Sequence, residues 1–381
     1  MSLFQIDSGK EWRGGQRQSF FLVRELKRKG YPCRFYVQPN SPLYKKAEQE
    51  DLPVFPLKVR SEADVLAVLK LSRQMKKAKC VLVHSHDAHG AAVSALAAYR
   101  AKIPLRVISR RVDFPLKNNY FSKIKYRKDI DMIIAISKGV KKVLVSSGID
   151  KKKIKVVPSG IDYTPFENVS SKDYLHRELG FNKDDFLVGI VAHLADHKGH
   201  KYLIEAAGIL KKKAPSIKLI IVGKGPLRIE LDQQVKKLGV EDIVLFLGFR
   251  EDVPQIMASL DLFVLSSYLE GLGTSIMDAM ASHLPVVATE VGGIPELVTH
   301  EKTGLLVPPK NPAALAEAIL RIYKDRKLAY YFGENGYKLV HEKYSSRAMA
   351  KKVIKEYEIM ARRKNIHLRP IKPFLKKKKK K

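Results

Sequence analysis

Short apolar runs alternate along this chain with longer stretches in which apolar residues recur every three or four positions. Runs at 2–6, 34–38, 54–57, 80–84, 105–109 and 132–136 predict strands, and the stretches 17–29, 63–77 and 91–99 between them predict helices. A second series opens at 186–192 and continues through 219–222, 260–265, 285–288 and 304–307, with helices predicted over 313–323 and 347–360. Near-continuous apolar runs mark strands buried on both faces of a parallel sheet. Their alternation with helices predicts an α/β chain of doubly wound sheets, and 381 residues are enough for two such domains with full cores.

The stretch 260–282, LDLFVLSSYLEGLGTSIMDAMAS, is the most informative. A buried strand is followed by the tight loop Gly271, Leu272 and Gly273. Thr274 is then expected to cap a helix that places Ile276, Met277, Met280 and Ala281 on one face. Strand, glycine loop and helix N-terminus together form a cradle for phosphate, because free backbone N–H groups and the positive dipole end converge there. Glu270 stands before the loop and Asp278 about one turn into the helix. An anion site bracketed by acids suits a ligand with phosphates in the middle and hydroxyl-rich groups at either end, the shape of a nucleotide-sugar. The bland alternative is an ordinary βα unit with incidental surface acids.

Charge changes this picture by its distribution. The chain carries a net +32, with 34 Lys+Arg against 14 Asp+Glu over residues 1–165, 26 against 25 over 166–361, and 11 against none in the last twenty. An anionic partner is expected on the basic side. No nucleic-acid-binding module is recognisable, and the basic excess avoids the motif-rich half, so a nucleic-acid partner is not expected. Two cysteines without metal-ligand spacing fit a reducing compartment. No apolar run has the length of a membrane span and the N-terminus lacks a signal-peptide pattern, so a cytoplasmic location is expected.

In the first half, Gly14 and Gly15 open a helix and are either a second anion cradle or a turn. His84, His86, Asp87 and His89 follow a strand, where ligands gather in such sheets. Strand spacing puts His84 and His86 on one face and His89 in the next turn, which argues against a metal site; a polar strand end is the alternative. The segment 118–128 sets Tyr120, Phe121, Ile124 and Tyr126 among Lys123, Lys125, Arg127 and Lys128. It reads either as a membrane-surface segment or as a solvated helix with inward aromatics. The terminal lysine run from Lys376 is too charged to pack and is expected to be disordered.

Glu270 and Asp278, with seven residues between them, resemble the acid-x7-acid motif of family 4 retaining glycosyltransferases, whose fold is GT-B. The family has Glu at both ends, so Asp278 is a departure. Further segments are similar in order: PSGID at 158–162 to the interdomain hinge, HLADHKG at 193–199 to GRLxxxKG, GKGP at 223–226 to the VGxGP turn, then GGIPE at 292–296 and TGLLV at 303–307. HSHDAH at 84–89 resembles the family's HxHDxH segment.

The resemblance implies a GT-B architecture of two Rossmann-like doubly wound domains facing an interdomain cleft. It assigns 1–161 to an N-terminal acceptor-binding domain and 162–345 to a nucleotide-sugar-binding domain. A helix at 346–362 would cross back to the N-terminal domain, ahead of a basic tail at 363–381. Implied donor-binding residues are Gly14, Gly15, His193, Lys198, Phe249, Arg250, Glu270, Gly271, Leu272, Gly273, Thr274 and Asp278, with Phe249-Arg250 holding the base largely through backbone contacts. Lys198 takes the lysine position that neutralises the diphosphate, and His193 stands where the family commonly has Arg. Implied catalytic residues are Lys198, Glu270, and His86 or His89. The expected reaction moves a sugar from a UDP, GDP or ADP type donor, with retention, to a lipid-linked or lipopolysaccharide-type glycan. It needs no metal or cofactor and takes place in the cytoplasm, or peripherally on the inner face of the cell membrane. A GT-B sugar-nucleotide epimerase or phosphorylase, and a transferase acting on a soluble acceptor, are the alternatives.

Overall fold

The computed structural model describes residues 1–116, 125–126, 129–167, 169 and 172–370. It divides into two compact units, Met1–Gly160 with Ser346–Lys381, and Ile161–Ser345.

The first unit holds seven parallel strands: β1 (Ser2–Asp7), β2 (Cys33–Val37), β3 (Val54–Pro56), β4 (Cys80–Ser85), β5 (Leu105–Arg110), β6 (Met132–Ala135) and β7 (Ile154–Val156). Their order is β3-β2-β1-β4-β5-β6-β7. The period of two along β1 divides the core. Leu3 packs with Phe35, Leu82, Val107 and Tyr357 on one face, while Phe4 and Ile6 pack with Tyr36, Val83 and Val93 on the other. Each such large side chain removed from water contributes about 1.5–3 kcal/mol. The helix Ser346–Arg363 buries Met349, Val353, Ile354, Tyr357 and Met360 at three- and four-residue intervals and packs on the helix Gly14–Arg28. The side-chain amide of Gln18 pairs in both directions with the Gly160 backbone, at 2.8 Å each way.

The second unit holds β8 (Phe186–Val191), β9 (Ile217–Val222), β10 (Val244–Gly248), β11 (Leu262–Leu265), β12 (Val286–Thr289) and β13 (Leu305–Val307), all parallel, in the order β10-β9-β8-β11-β12-β13. Ile161 N–H bonds the Tyr344 carbonyl at 2.7 Å within this unit. In both sheets the chain order reverses next to the first strand, between β1 and β4 and between β8 and β11. Doubly wound folds bind ligands at the carboxyl ends of strands flanking that reversal.

Two differences from the sequence reading have local causes. Thr274 does not cap its helix. The helix spans Thr274–Ala281 and Gly273 is the cap, at φ +87°, with no side chain bonded to the first-turn amides. The 18-residue helix Arg326–Lys343 was not expected, because Gly333 and Gly336 interrupt its pattern. Those glycines are contact points: a Cβ on Gly333 would lie 2.1 Å from the His283 carbonyl oxygen, and one on Gly336 2.9 Å from Met280 Cγ.

Of the basic aromatic segment only Lys125 and Tyr126 are described; Lys125 is bonded to Glu62 at 2.7 Å and Tyr126 is half-buried. The rest of that segment and the lysine run from Lys376 lie outside the described residues. Among the described residues no helix is long and apolar enough to cross a membrane.

Candidate active site

In the second unit the chain leaves β8 through His193 and a single 3-10 turn, Asp196–Lys198, then enters the helix His200–Lys213 through Gly199 at φ +67°. This loop is fastened to the end of β11. Ser266 Oγ donates to the Lys198 carbonyl at 3.1 Å, and Tyr268 N–H donates to the His197 carbonyl at 2.9 Å. A Cβ on Gly199 would stand 2.1 Å from the Ser266 carbonyl oxygen, so only glycine permits this approach.

The result is an ion pair between Lys198 Nζ and Glu270 Oε2, with side chains 18% and 12% exposed. Ser267 Oγ donates to the same carboxylate oxygen at 3.2 Å, and Gly293 N–H of the GGIPE segment donates to the Glu270 carbonyl at 3.1 Å. Two segments 72 residues apart are thereby joined at one cation, an acid and the first turn of the helix Thr274–Ala281. An ammonium has three donors and only one is directed at Glu270. Together with the first-turn amides after Gly273, this is the equipment of an oxyanion site.

Asp278 is buried within that helix, as are Ile276, Met277 and Met280. His193 is half-buried in the loop after β8. Phe249 is half exposed after β10, with Lys224 Nζ 5.3 Å from its ring centroid. The Arg250 guanidinium is committed to structure: it bonds Asp252 at 2.6 and 2.8 Å, Tyr174 Oη at 2.9 Å, and Glu178. Its backbone is therefore what it can offer a ligand. His200, next to Gly199, is buried with neither ring nitrogen hydrogen-bonded among the described residues; burial pushes its pKa down to about 3.

In the first unit, Gly14 and Gly15 are the first residues of their helix, and Arg13 before them provides no side-chain cap. Asp7, at the end of β1, accepts from Gln16 Nε2 at 3.0 Å, Ser19 Oγ at 2.6 Å and Gly9 N–H at 3.1 Å. Burial, then the charge of Asp87, raises its pKa to about 6. Asp87 caps the helix Ala88–Ala101 and accepts both the amide and hydroxyl of Ser8, at 2.7 and 2.6 Å. His89 is exposed on the first turn of that helix.

His86 is buried with both ring nitrogens engaged, Nε2 with Gln5 Oε1 at 2.8 Å and Nδ1 with Arg111 Nη2 at 3.3 Å. His84 is buried between Tyr357 Oη and Ser109 Oγ. Burial holds both histidines well below the usual imidazole range. Gln5, Ser109, Arg111 and Tyr357 escaped the sequence reading, since they come from three distant places in the chain: β1, the end of β5 and the helix Ser346–Arg363.

These two sites can be set beside known proteins. Residues 171–339 match the family described as Glycosyl transferases group 1, and residues 12–164 match Glycosyltransferase Family 4. A putative glycosyltransferase of Bacillus subtilis, EpsD, is 30% identical over 289 residues, covering 71% of this chain and 75% of that protein. The chain belongs to the family 4 glycosyltransferases. The uncharacterized glycosyltransferase MJ1607 of Methanocaldococcus jannaschii is 34% identical to this glycosyltransferase over 233 residues, which span 60% of either chain. An Escherichia coli enzyme named UDP-Gal:alpha-D-GlcNAc-diphosphoundecaprenol alpha-1,3-galactosyltransferase is 26% identical over 279 residues, covering 70% of this chain and 72% of that one. Among solved structures, Anabaena Alr3699/HepE in complex with UDP and glucose superposes with a TM-score of 0.84 at 24% identity, over 94% of this chain and all of that one. The likeness shows the GT-B fold of this glycosyltransferase.

Proposed function

We propose that this glycosyltransferase moves a sugar from a nucleotide-sugar to a lipid-linked or lipopolysaccharide-type glycan acceptor, with retention of anomeric configuration. The carrying observation is the Lys198–Glu270 pair fastened beside the uncapped helix start at Gly273 and Thr274. In this reading Lys198 and the first-turn amides stabilise the charge that develops on the departing diphosphate, the term that is often largest in such catalysis. Glu270 orients sugar hydroxyls and Asp278 the ribose. His193 adds a second contact near the diphosphate, and Phe249 and the Arg250 backbone receive the base. Of the two histidine candidates His89, which is exposed, is assigned to the transferred sugar, because both ring nitrogens of His86 are engaged within the first unit; Gly14 and Gly15 are assigned to the phosphates. The scheme routes no step through a metal.

UDP is the first nucleotide to test, because the galactosyltransferase relative is named for a UDP donor and the Anabaena protein was crystallised with UDP. That relative's diphosphoundecaprenol acceptor, together with the basic excess over residues 1–165, supports a lipid-linked acceptor reached at an anionic membrane surface. The test incubates the protein with labelled UDP-sugars and a short isoprenyl diphosphate-linked sugar, and reads the anomeric coupling of the product by proton NMR. An α product from an α donor is expected. A β product removes retention, and hydrolysis or epimerisation without transfer removes the acceptor reading.

A further inference from the structure

Gln5, His84 and Ser109 lie on three adjacent strands, β1, β4 and β5, near their carboxyl ends and on the face covered by the helix Ser346–Arg363. In register, Gln5 pairs with His84 across β1 and β4. Their side chains meet Tyr357 of that helix and His86 just past β4, His86 in turn meets Arg111 just past β5, and the two histidine rings are 4.1 Å apart centre to centre.

The direction of the hydrogen bonds from Arg111 as far as Tyr357 follows from the guanidinium. A guanidinium only donates, so His86 Nδ1 accepts. A neutral imidazole carries one N–H, so His86 Nε2 donates to Gln5 Oε1 at 2.8 Å. This fixes the amide: Gln5 Nε2 is the donor facing Tyr357 Oη at 3.4 Å. Tyr357 Oη also faces His84 Nδ1, and His84 Nε2 lies 2.8 Å from Ser109 Oγ; both hydroxyls can give or accept, so the direction of these two bonds follows the His84 tautomer. A proton added to His86 Nδ1 would set donor against donor with Arg111, so His86 is neutral.

The chain of bonds begins at a half-buried cation that forms no ion pair among the described residues and whose Nε is buried without a partner. Its stem lies against the uncapped start of the helix Gly14–Arg28: a Cβ on Gly15 would be 3.4 Å from Arg111 Cδ. A desolvated charge of this kind is compensated when an anion binds. Arginine matches phosphate oxygens with paired donors.

We propose that Arg111 contacts an oxyanion of a substrate diphosphate, and that Gln5, His84, His86 and Tyr357 are positioning residues forming the hydrogen-bonded relay that holds it. The identity of the two candidate diphosphates, the nucleotide of the donor and the isoprenyl diphosphate of the acceptor, rests on the transferase reading above. The relay itself does not.

The experiment is calorimetry of UDP and of geranyl diphosphate against the full chain, its Arg111→Met and Arg111→Lys variants, and Tyr357→Phe, with circular dichroism to establish folding. Arg111→Met should weaken one of the two ligands by about tenfold or more, the loss expected when a charge-assisted hydrogen bond goes. Arg111→Lys should recover part of it and Tyr357→Phe should show a smaller loss. Loss for UDP names the donor as the source, and loss for geranyl diphosphate names the acceptor. Histidine 15N NMR adds a readout that packing alone does not move. His86 should be protonated at Nε2 and neutral between pH 5.5 and 8, and Arg111→Met should free it to titrate. Unchanged affinity for both ligands in Arg111→Met, no binding of either by the wild type, or a wild-type His86 protonated at Nδ1 would overturn the proposal. Intact UDP binding in Lys198→Ala would instead count against the site in the second unit and leave this inference standing.

Discussion

Lys198 Nζ is ion-paired with the carboxylate of Glu270 across two loops that leave the adjacent strands β8 and β11. If the lysine neutralises a leaving diphosphate, its removal acts on turnover. Lys198→Ala is expected to lower kcat by about 10²–10³, the loss found when one donor of an oxyanion site is deleted. Steady-state kinetics on a variant with a native circular dichroism spectrum checks this, and near-normal kcat would contradict the role.

Gly199 makes that pairing geometrically feasible. Gly199→Ala places a methyl group 2.1 Å from the Ser266 carbonyl oxygen at a φ of +67°. It should destabilise the second unit by more than about 1 kcal/mol and displace Lys198. Calorimetric melting and kcat should therefore fall together, and an unchanged Tm would show that the loop is not fastened as described.

Asp278 is read as the ribose ligand. A hydrogen bond to a charged carboxylate contributes about 1.5–3 kcal/mol, so Asp278→Ala should weaken nucleotide affinity by about tenfold or more. Asp278→Glu separates two geometries, since a direct contact predicts crowding and loss while a water bridge predicts tolerance. No change in affinity in either variant would remove Asp278 from the site.

Buried histidines predict how stability varies with pH. Burial depresses His84 and His86 well below the usual range and His200 to about 3, so below pH ~6.5 the unfolded chain binds protons that the folded chain refuses. Stability then falls as pH falls. Asp7, raised to about 6, acts in the opposite sense: between about 4 and 6 the folded chain keeps a proton that the unfolded one has lost. With His341, also held low by burial, four histidines oppose one carboxyl, so stability, and Tm with it, should drop between pH 7 and pH 5, each net proton contributing about 1.4 kcal/mol per pH unit. His200→Leu should lose less than the wild type over this range in the second unit. Equal pH slopes for the two proteins would show that His200 is not held neutral.

The two sheets were legible because strands buried on both faces spell themselves as apolar runs, FLVGIV of β8 and LFVL of β11 among them. The Lys198 and Glu270 loops were legible because each carries its glycine and charge within a few consecutive residues. The cap at Gly273 was misassigned to Thr274, since a hydroxyl beside a helix start is the usual signal. Here a left-handed glycine leaves the first-turn amides uncapped by any side chain. The relay could not be read at all: Gln5 and Tyr357 are 352 residues apart, and only the packing of the last helix on the first sheet joins them.

The most direct test of the account is calorimetry of UDP, GDP and ADP against the wild type and Lys198→Ala. One of the three should bind the wild type measurably better than the others, UDP being the first expected. Its affinity should fall by about tenfold or more in the variant, as the loss of a charge-assisted contact to diphosphate requires. If no nucleoside diphosphate binds, or if Lys198→Ala binds as tightly as the wild type, the Lys198–Glu270 pair is not the diphosphate site of a nucleotide-sugar-dependent transferase.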